Sequence, residues 1–259
     1  LFLSDHPDEF IQVPFGDLDA MERALAGGDV AAVIMETIPA TYGFPLPPPG
    51  YLEAVKQLTE RFGTLYIADE VQTGLMRTGE LWGITKHGID PDIIVTGKGL
   101  SGGMYPISAV LLGERAASWL DVDGFAHMST FGGAELGCVA ALKTLEITTR
   151  PEVRSMVHYI SDLFATGLRR IQADYPDWFV GIRQNGVVIG LEFDHPEGAK
   201  FVMRELYANG VWAIFSTLDP RVLQFKPGIL LGPDLCEDVL DRLEVAVGRA
   251  RAAAFGRRS

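Results

Sequence analysis

Residues 91–99 read Pro-Asp-Ile-Ile-Val-Thr-Gly-Lys-Gly. Ile93–Thr96 is β-branched throughout, too short for a helix and free of charge, so it reads as a buried strand. It runs into a lysine set between two glycines, Gly97 and Gly99, which let a backbone approach a ligand closely. The same texture recurs on the N-terminal side. Residues 30–35, Val-Ala-Ala-Val-Ile-Met, and Leu65-Tyr66-Ile67-Ala68 are further strands, the second ending at Asp69. A helix from near Asp17 to the stop signal Gly27-Gly28 precedes the first strand. Between the two strands, helix 51–62 carries Leu52, Val55, Leu58 and Phe62 at helical spacing. Helix–strand alternation is expected to continue to Ile93, and Ile107–Leu112 is another strand run. Short apolar strands between helices predict an α/β fold, a mostly parallel sheet with helices on both faces. Ligands sit at the carboxyl ends of such strands, and Glu36, Asp69 and Lys98 all lie there.

The texture changes near Thr148-Thr149-Arg150-Pro151. A long helix is expected from Pro151 to about Tyr175, then a strand at Val187–Phe193 and a helix over 197–208. Val211–Phe215 and Val222–Phe225 read as short strands, and a last helix starts near Asp234. Two domains follow: residues 1–149, a partial large domain, and residues 150–259, a small α+β domain.

The net charge of −12 argues against a nucleic-acid partner, which needs clustered Lys and Arg. Arg249, Arg251, Arg257 and Arg258 read as a solvated helix end. No run approaches the ~20 apolar residues of a membrane span. Cys138 and Cys236 lack metal-ligand spacing and fit buried thiols in a reducing, cytoplasmic setting.

Three chemistries compete for Lys98. Gly97-Lys98-Gly99-Leu100-Ser101-Gly102 matches the G-x-G-x-x-G dinucleotide pattern, but Gly103, Tyr105 and Pro106 deny it the helix that must hold the pyrophosphate. A P-loop needs glycine where Asp92 stands. An exposed turn lysine is the plain alternative. A poorly hydrated lysine at a strand end can instead lose its proton and attack a carbonyl. Asp69 suits a metal ligand, a general base, a helix cap or the partner of a cationic ring. No nearby histidine supports a metal site.

Taken together, Ile-Ala-Asp-Glu-Val-Gln-Thr-Gly (67–74), Pro-Asp-Ile-Ile-Val-Thr-Gly-Lys-Gly (91–99) and Ser-Thr-Phe-Gly-Gly (129–133) resemble the class III, or ω-type, aminotransferases. These are fold-type I pyridoxal phosphate enzymes. The resemblance runs from about Ala31 to the last helix. It implies pyridoxal 5'-phosphate held on Lys98 as a Schiff base, with Asp69 on the ring nitrogen and Gln72 at the phenolic oxygen. Thr130, with Ser129 beside it, matches the position that reaches the phosphate in the neighbouring subunit of a homodimer. Glu36 matches the glutamate that opens the loop before the cofactor-facing strand. The implied reaction moves an amino group from an amine or amino acid to a keto acid or aldehyde. Relatives that are lyases, decarboxylases or aminomutases supply the alternative chemistry, and a non-catalytic association domain is the alternative outside it. His127 reads as structural, Trp212 and Phe215 as core, and Arg77 receives no role.

Two positions depart from the family's pattern. Thr41 stands where many members carry a glutamate, and Gln224 where they carry an arginine that binds a substrate carboxylate. Both halves of that Arg/Glu gate are absent, and Lys226 is the candidate substitute anion site. The chain also opens at Leu1 without the region that supplies the family's phosphate loop and ring-stacking aromatic, so it reads as N-terminally truncated. The isolated chain is therefore expected to hold cofactor weakly. A visible cofactor absorption band that survives dialysis contradicts this expectation.

Overall fold

The computed structural model describes residues 5, 6, 9–125 and 127–256. Its first half is built on a four-stranded sheet of order β1-β2-β3-β4: Ala32–Glu36, Leu65–Asp69, Ile93–Thr96 and Ala109–Leu112. β1, β2 and β3 are parallel, and β4 runs antiparallel to β3. A parallel β4 would need a long crossover, usually a helix. Only a 3-10 turn, Lys98–Ser101, forms between β3 and β4, so the chain simply reverses.

Helix α1, Leu18–Leu25, starts where the Asp17 side chain accepts the Ala20 amide at 2.8 Å. Helix α2, Tyr51–Arg61, buries Leu52, Val55 and Leu58. These pack with Tyr66 and Ala68 of β2 and with Ile84, forming the core under the sheet. The expected alternation fails between Asp69 and Ile93. That stretch holds turns and one 3-10 helix, Gly83–His87, and Leu75 and Met76 adopt left-handed backbone at φ 56° and 69°.

A buried carboxylate explains this departure. Glu70 is only 1% exposed. Thr37 Oγ1 donates to its Oε1 at 2.6 Å, and Thr73 Oγ1 to its Oε2 at 2.8 Å. The Gly83 and Ile84 amides, at the start of the 3-10 helix, donate at 2.8 Å each. One side chain thus ties the segment after β1, the end of β2 and the 3-10 helix together, and its charge is met by four donors.

Helices α3 (Glu114–Val122) and α4 (Glu135–Thr148) were not legible beforehand, and α4 exposes Leu136, Val139 and Leu142. Helix α5, Pro151–Asp174, follows with proline at its first turn. The second sheet has order β5-β6-β8-β7 and is wholly antiparallel. Its strands are Phe179–Asn185, Val188–Phe193, Ile214–Phe215 and Val222–Phe225. β5 escaped the sequence reading because Arg183, Gln184 and Asn185 break its apolar pattern. Helices α6 (Gly198–Ala208) and α7 (Pro233–Phe255) complete this half. Its core joins Phe164 and Leu168 of α5 to Phe193, Phe225 and Leu243.

Trp212 was expected in the core; it is 74% exposed and packs edge-on against Tyr207 instead. Cys236 is buried, whereas Cys138 is only partly so. Arg251 pairs with Asp177, and Arg257 and Arg258 lie outside the described residues. No described helix is long and apolar enough to cross a membrane.

Replacing Glu70 by Ala strands four buried donors. We expect a loss of about 3–5 kcal/mol, read as a lower urea midpoint. Glu70→Gln keeps one acceptor oxygen but adds buried donors, and is expected to fall in between.

Candidate active site

The register of the first sheet builds the site. Glu36 of β1 lies beside Asp69 of β2, and Asp69 lies beside Val95 of β3, three residues before Lys98. All three ionisable groups therefore reach the same carboxyl rim of the parallel strands. Lys98 has φ 43°, the left-handed region that a side chain rarely adopts. Its side chain is exposed and makes no hydrogen bond or ion pair among the described residues. Ser101 Oγ caps the following turn by bonding the Tyr105 carbonyl.

Asp69 is half-buried. One carboxylate oxygen accepts the Val71 amide at 3.0 Å; the other has no partner among the described residues. Gln72, three residues on, is half-buried with its amide unbonded among those residues. Glu36 Oε2 accepts the Ala40 amide at 3.1 Å. Burial raises the pKa of Glu36, and Asp69 adds to that. The Ala40 amide, Lys98 and Lys226 pull the other way.

The loop after β1 also meets the second sheet. Gln224 of β8 is buried, and its Nε2 donates to the Ala40 carbonyl at 3.0 Å, which also accepts Ser216 Oγ at 3.2 Å. Lys226 Nζ donates to Gln224 Oε1 at 2.8 Å. Glu36, Ala40, Gln224 and Lys226 thus form one hydrogen-bonded chain from the first sheet to the second. Thr41, next in the loop, is exposed, and its carbonyl accepts the Leu218 amide at 2.9 Å. Burial, helped by Arg77 and Lys98 and opposed by Glu36, brings the pKa of Lys226 down to about 8.

The structure therefore gathers Glu36, Asp69, Lys98, Gln224 and Lys226. It does not bring Ser129 and Thr130 to them. Both are exposed; Ser129 Oγ accepts only the Gly132 amide at 3.0 Å, and Thr130 has no hydrogen bond among the described residues. Two contributors were missed. Glu70 was read only as Asp69's neighbour, because its partners Thr37, Gly83 and Ile84 are remote in sequence. Arg77 was given no role. It is half-buried, and desolvation of its guanidinium pushes its pKa down to about 10; one terminal nitrogen donates to the Val187 carbonyl at 3.2 Å, and its Nε is buried without a partner among the described residues.

The donor set fits pyridoxal phosphate on two counts. An aldehyde needs a free primary amine, which Lys98 offers, and a protonated ring nitrogen needs a carboxylate oxygen, which Asp69 leaves unbonded. A resident metal has no comparable support. Among the described residues no group of three or more His, Cys, Asp or Glu is placed to hold one.

Comparison with known proteins agrees. The family profile described as Aminotransferase class-III matches residues 5–247. An uncharacterized aminotransferase of Archaeoglobus fulgidus is 41% identical over 253 residues, covering 96% of this chain and 59% of that protein. The N-acetylornithine aminotransferase of Stenotrophomonas maltophilia superposes with a TM-score of 0.85 at 28% identity, over 94% of this chain and 63% of that one. The ornithine aminotransferase of Toxoplasma gondii gives 0.86 at 30% identity, over 96% and 57%. The chain thus spans about three-fifths of the length of these relatives. Its fold is the α/β fold of the pyridoxal phosphate aminotransferases. With the profile covering nearly all of it, the chain belongs to the class-III aminotransferase family.

Proposed function

We propose that the protein is a pyridoxal phosphate-dependent aminotransferase whose cofactor is held covalently on Lys98 Nζ. The observation that carries this reading is the unpaired Lys98 amine, on the rim it shares with a carboxylate, Asp69, that has one oxygen to spare. When bound, the cofactor supplies an electron sink for the bond broken at the substrate's α-carbon. Asp69 would hold the ring nitrogen and keep its proton, and Gln72, whose amide is unbonded among the described residues, would hold the phenolic oxygen. Lys98 Nζ would also serve as the base that carries the proton released at the substrate's α-carbon. Glu36 holds the loop through Ala40. In this reading residues 1–149 are the cofactor-binding domain and residues 150–259 the small domain.

The Arg/Glu gate of the family has no counterpart here. Gln224 is neutral, and both ends of its amide are engaged, by Ala40 and by Lys226. Thr41 is exposed and uncharged. The substrates are a small amine or amino acid and a keto acid or aldehyde, recognised without that switch.

A homodimer accompanies this reading. Leu136, Val139 and Leu142 of α4 are 74%, 65% and 67% exposed, and Met128 and Phe131 are exposed beside them in sequence. A second copy covering this face would bury that surface and bring Ser129 and Thr130 to the other copy's site.

Borohydride reduction with excess pyridoxal phosphate, followed by peptide mapping, is expected to mark Lys98. A mark elsewhere, or none, overturns the assignment. Lys98→Ala should abolish turnover, and a keto product that forms only with an amino acceptor separates transfer from lyase, decarboxylase or mutase chemistry. Efficient glutamate/2-oxoglutarate exchange that survives Gln224→Ala with Lys226→Ala would contradict a role for those two residues. Sedimentation should show a dimer that Val139→Glu weakens.

A further inference from the structure

Arg77 grips one residue of the second half of the chain by both of that residue's backbone groups. The Val187 amide donates to the Arg77 carbonyl at 2.8 Å, and the Val187 carbonyl accepts an Arg77 terminal nitrogen at 3.2 Å. Val187 belongs to the two-residue turn that joins β5 to β6, since Asn185 lies beside Val188 in their ladder. The other turn residue, Gly186, has φ 63°, which suits so tight a hairpin. A side chain on Gly186 would strike the Arg77 carbonyl and come within 2.7 Å of Thr78 Cα. Both are backbone atoms and cannot swing aside.

Further contacts seat the same segment. Lys86 Nζ donates to the Thr78 carbonyl and to Asn185 Oδ1, each at 2.7 Å. Glu80 pairs with Arg154 of α5, and Met76 packs on Val153 and Val157 of that helix. The segment needs such support, because Leu75 and Met76 hold left-handed backbone that persists only where the surroundings over-determine it.

Gln72 lies three residues ahead of that strained pair, in a loop that the Gly74 amide closes on the Glu70 carbonyl at 2.9 Å. Glu70 fixes the start of this loop, and Arg77 fixes the chain just beyond its end. The Arg77 guanidinium makes no ion pair among the described residues, so its grip on Val187 is the polar contact it does make. The charged groups around it are Lys86, the Glu80–Arg154 pair and Lys226.

We propose that Arg77 and the 185–187 hairpin are positioning groups for the cofactor site: they clamp the far end of the Gln72 loop, so that residues of the second half decide where the Gln72 amide sits. This rests on the reading that Gln72 holds the phenolic oxygen of a cofactor carried on Lys98. An N–H donated to that oxygen favours its charged form and lowers its affinity for a proton. Such a bond is made only within a narrow range of distance and angle, so a small displacement of the loop loses it. The proton affinity then rises.

The full chain is loaded with saturating pyridoxal phosphate, and its visible band is titrated with pH as a difference spectrum against Lys98→Ala. We expect Gln72→Leu and Arg77→Ala each to move the midpoint up by about half a pH unit or more. The double variant should go little beyond Gln72→Leu alone, since both act through one amide. Arg77→Lys keeps a donor for Val187 and should stay within about 0.2 units of the wild type. Gly186→Ala, which presses on the Arg77 carbonyl from the other half, should act as Arg77→Ala does. Leu168→Ala opens the core of the second half and lowers stability, but should leave the midpoint in place.

A midpoint moved by Gln72→Leu but not by Arg77→Ala overturns the proposal alone. So do additive shifts in the double variant, or a shift in Leu168→Ala as large as that in Arg77→Ala. A midpoint that Gln72→Leu leaves in place overturns the Gln72 contact and the proposal together. No band in the wild type overturns the proposed chemistry, and hydrogen exchange of the Gly74 amide without cofactor then decides the clamp. Exchange about tenfold faster in Arg77→Ala and not in Leu168→Ala upholds it, and exchange unchanged by Arg77→Ala overturns it.

Discussion

The Glu70 carboxylate sits out of water with four donors on it, two threonine hydroxyls and two backbone amides. A charge at that depth is tolerated only when its oxygens are satisfied. The four donors come from the segment after β1, the turn after β2 and the start of the Gly83–His87 helix. None of these can move far without stranding the charge. Asp69 is the residue just before it in the chain, so its carboxylate is presented at a rim fixed on both sides. That placement matters because the Asp69 side chain itself makes only one hydrogen bond among the described residues.

The loop from Thr37 to Phe44 carries that order to the second sheet. Ile38, Ala40 and Phe44 pack against Val188 as a small buried cluster. Arg183 Nη1 donates to the Gly43 carbonyl at 2.8 Å, while its other terminal nitrogen pairs with Glu192. Gly43 has φ 83°, and a side chain there would press on Val222 at 3.0 Å. The Ala40 peptide sits at the centre, its amide on Glu36 and its carbonyl on Gln224 and Ser216. The groups gathered at this rim thus come from both halves of the chain. A change in either half is felt at the same few atoms.

The chain also holds features whose meaning lies in what approaches them. Lys98 occupies a strained backbone position with a free amine, a conformation that costs about 1–3 kcal/mol. The exposed apolar face of α4 is a surface that water does not favour. In the proposed reading the amine takes a covalent cofactor and the helix face a second copy. Both follow from chemistry left unsatisfied within the chain itself.

The sequence by itself determined the strands and the ends they point to. Period and β-branching marked Ile93–Thr96 and Leu65–Ala68, and three spaced motifs marked Lys98, Asp69 and Gln72. These are local or family signals, carried by neighbours in the chain. The reversed strand β4, the polar strand β5 and the turns that replace a helix after Asp69 were not legible, because long-range contacts override local pattern there. Glu70 looked like a bystander to Asp69, since its partner Thr37 lies 33 residues away. Arg77 looked idle, because Val187 is 110 residues away. Only the tertiary structure decided which charges are satisfied and which are left facing the site, since hydrogen-bond partners and burial are set by segments that meet in space and not in sequence.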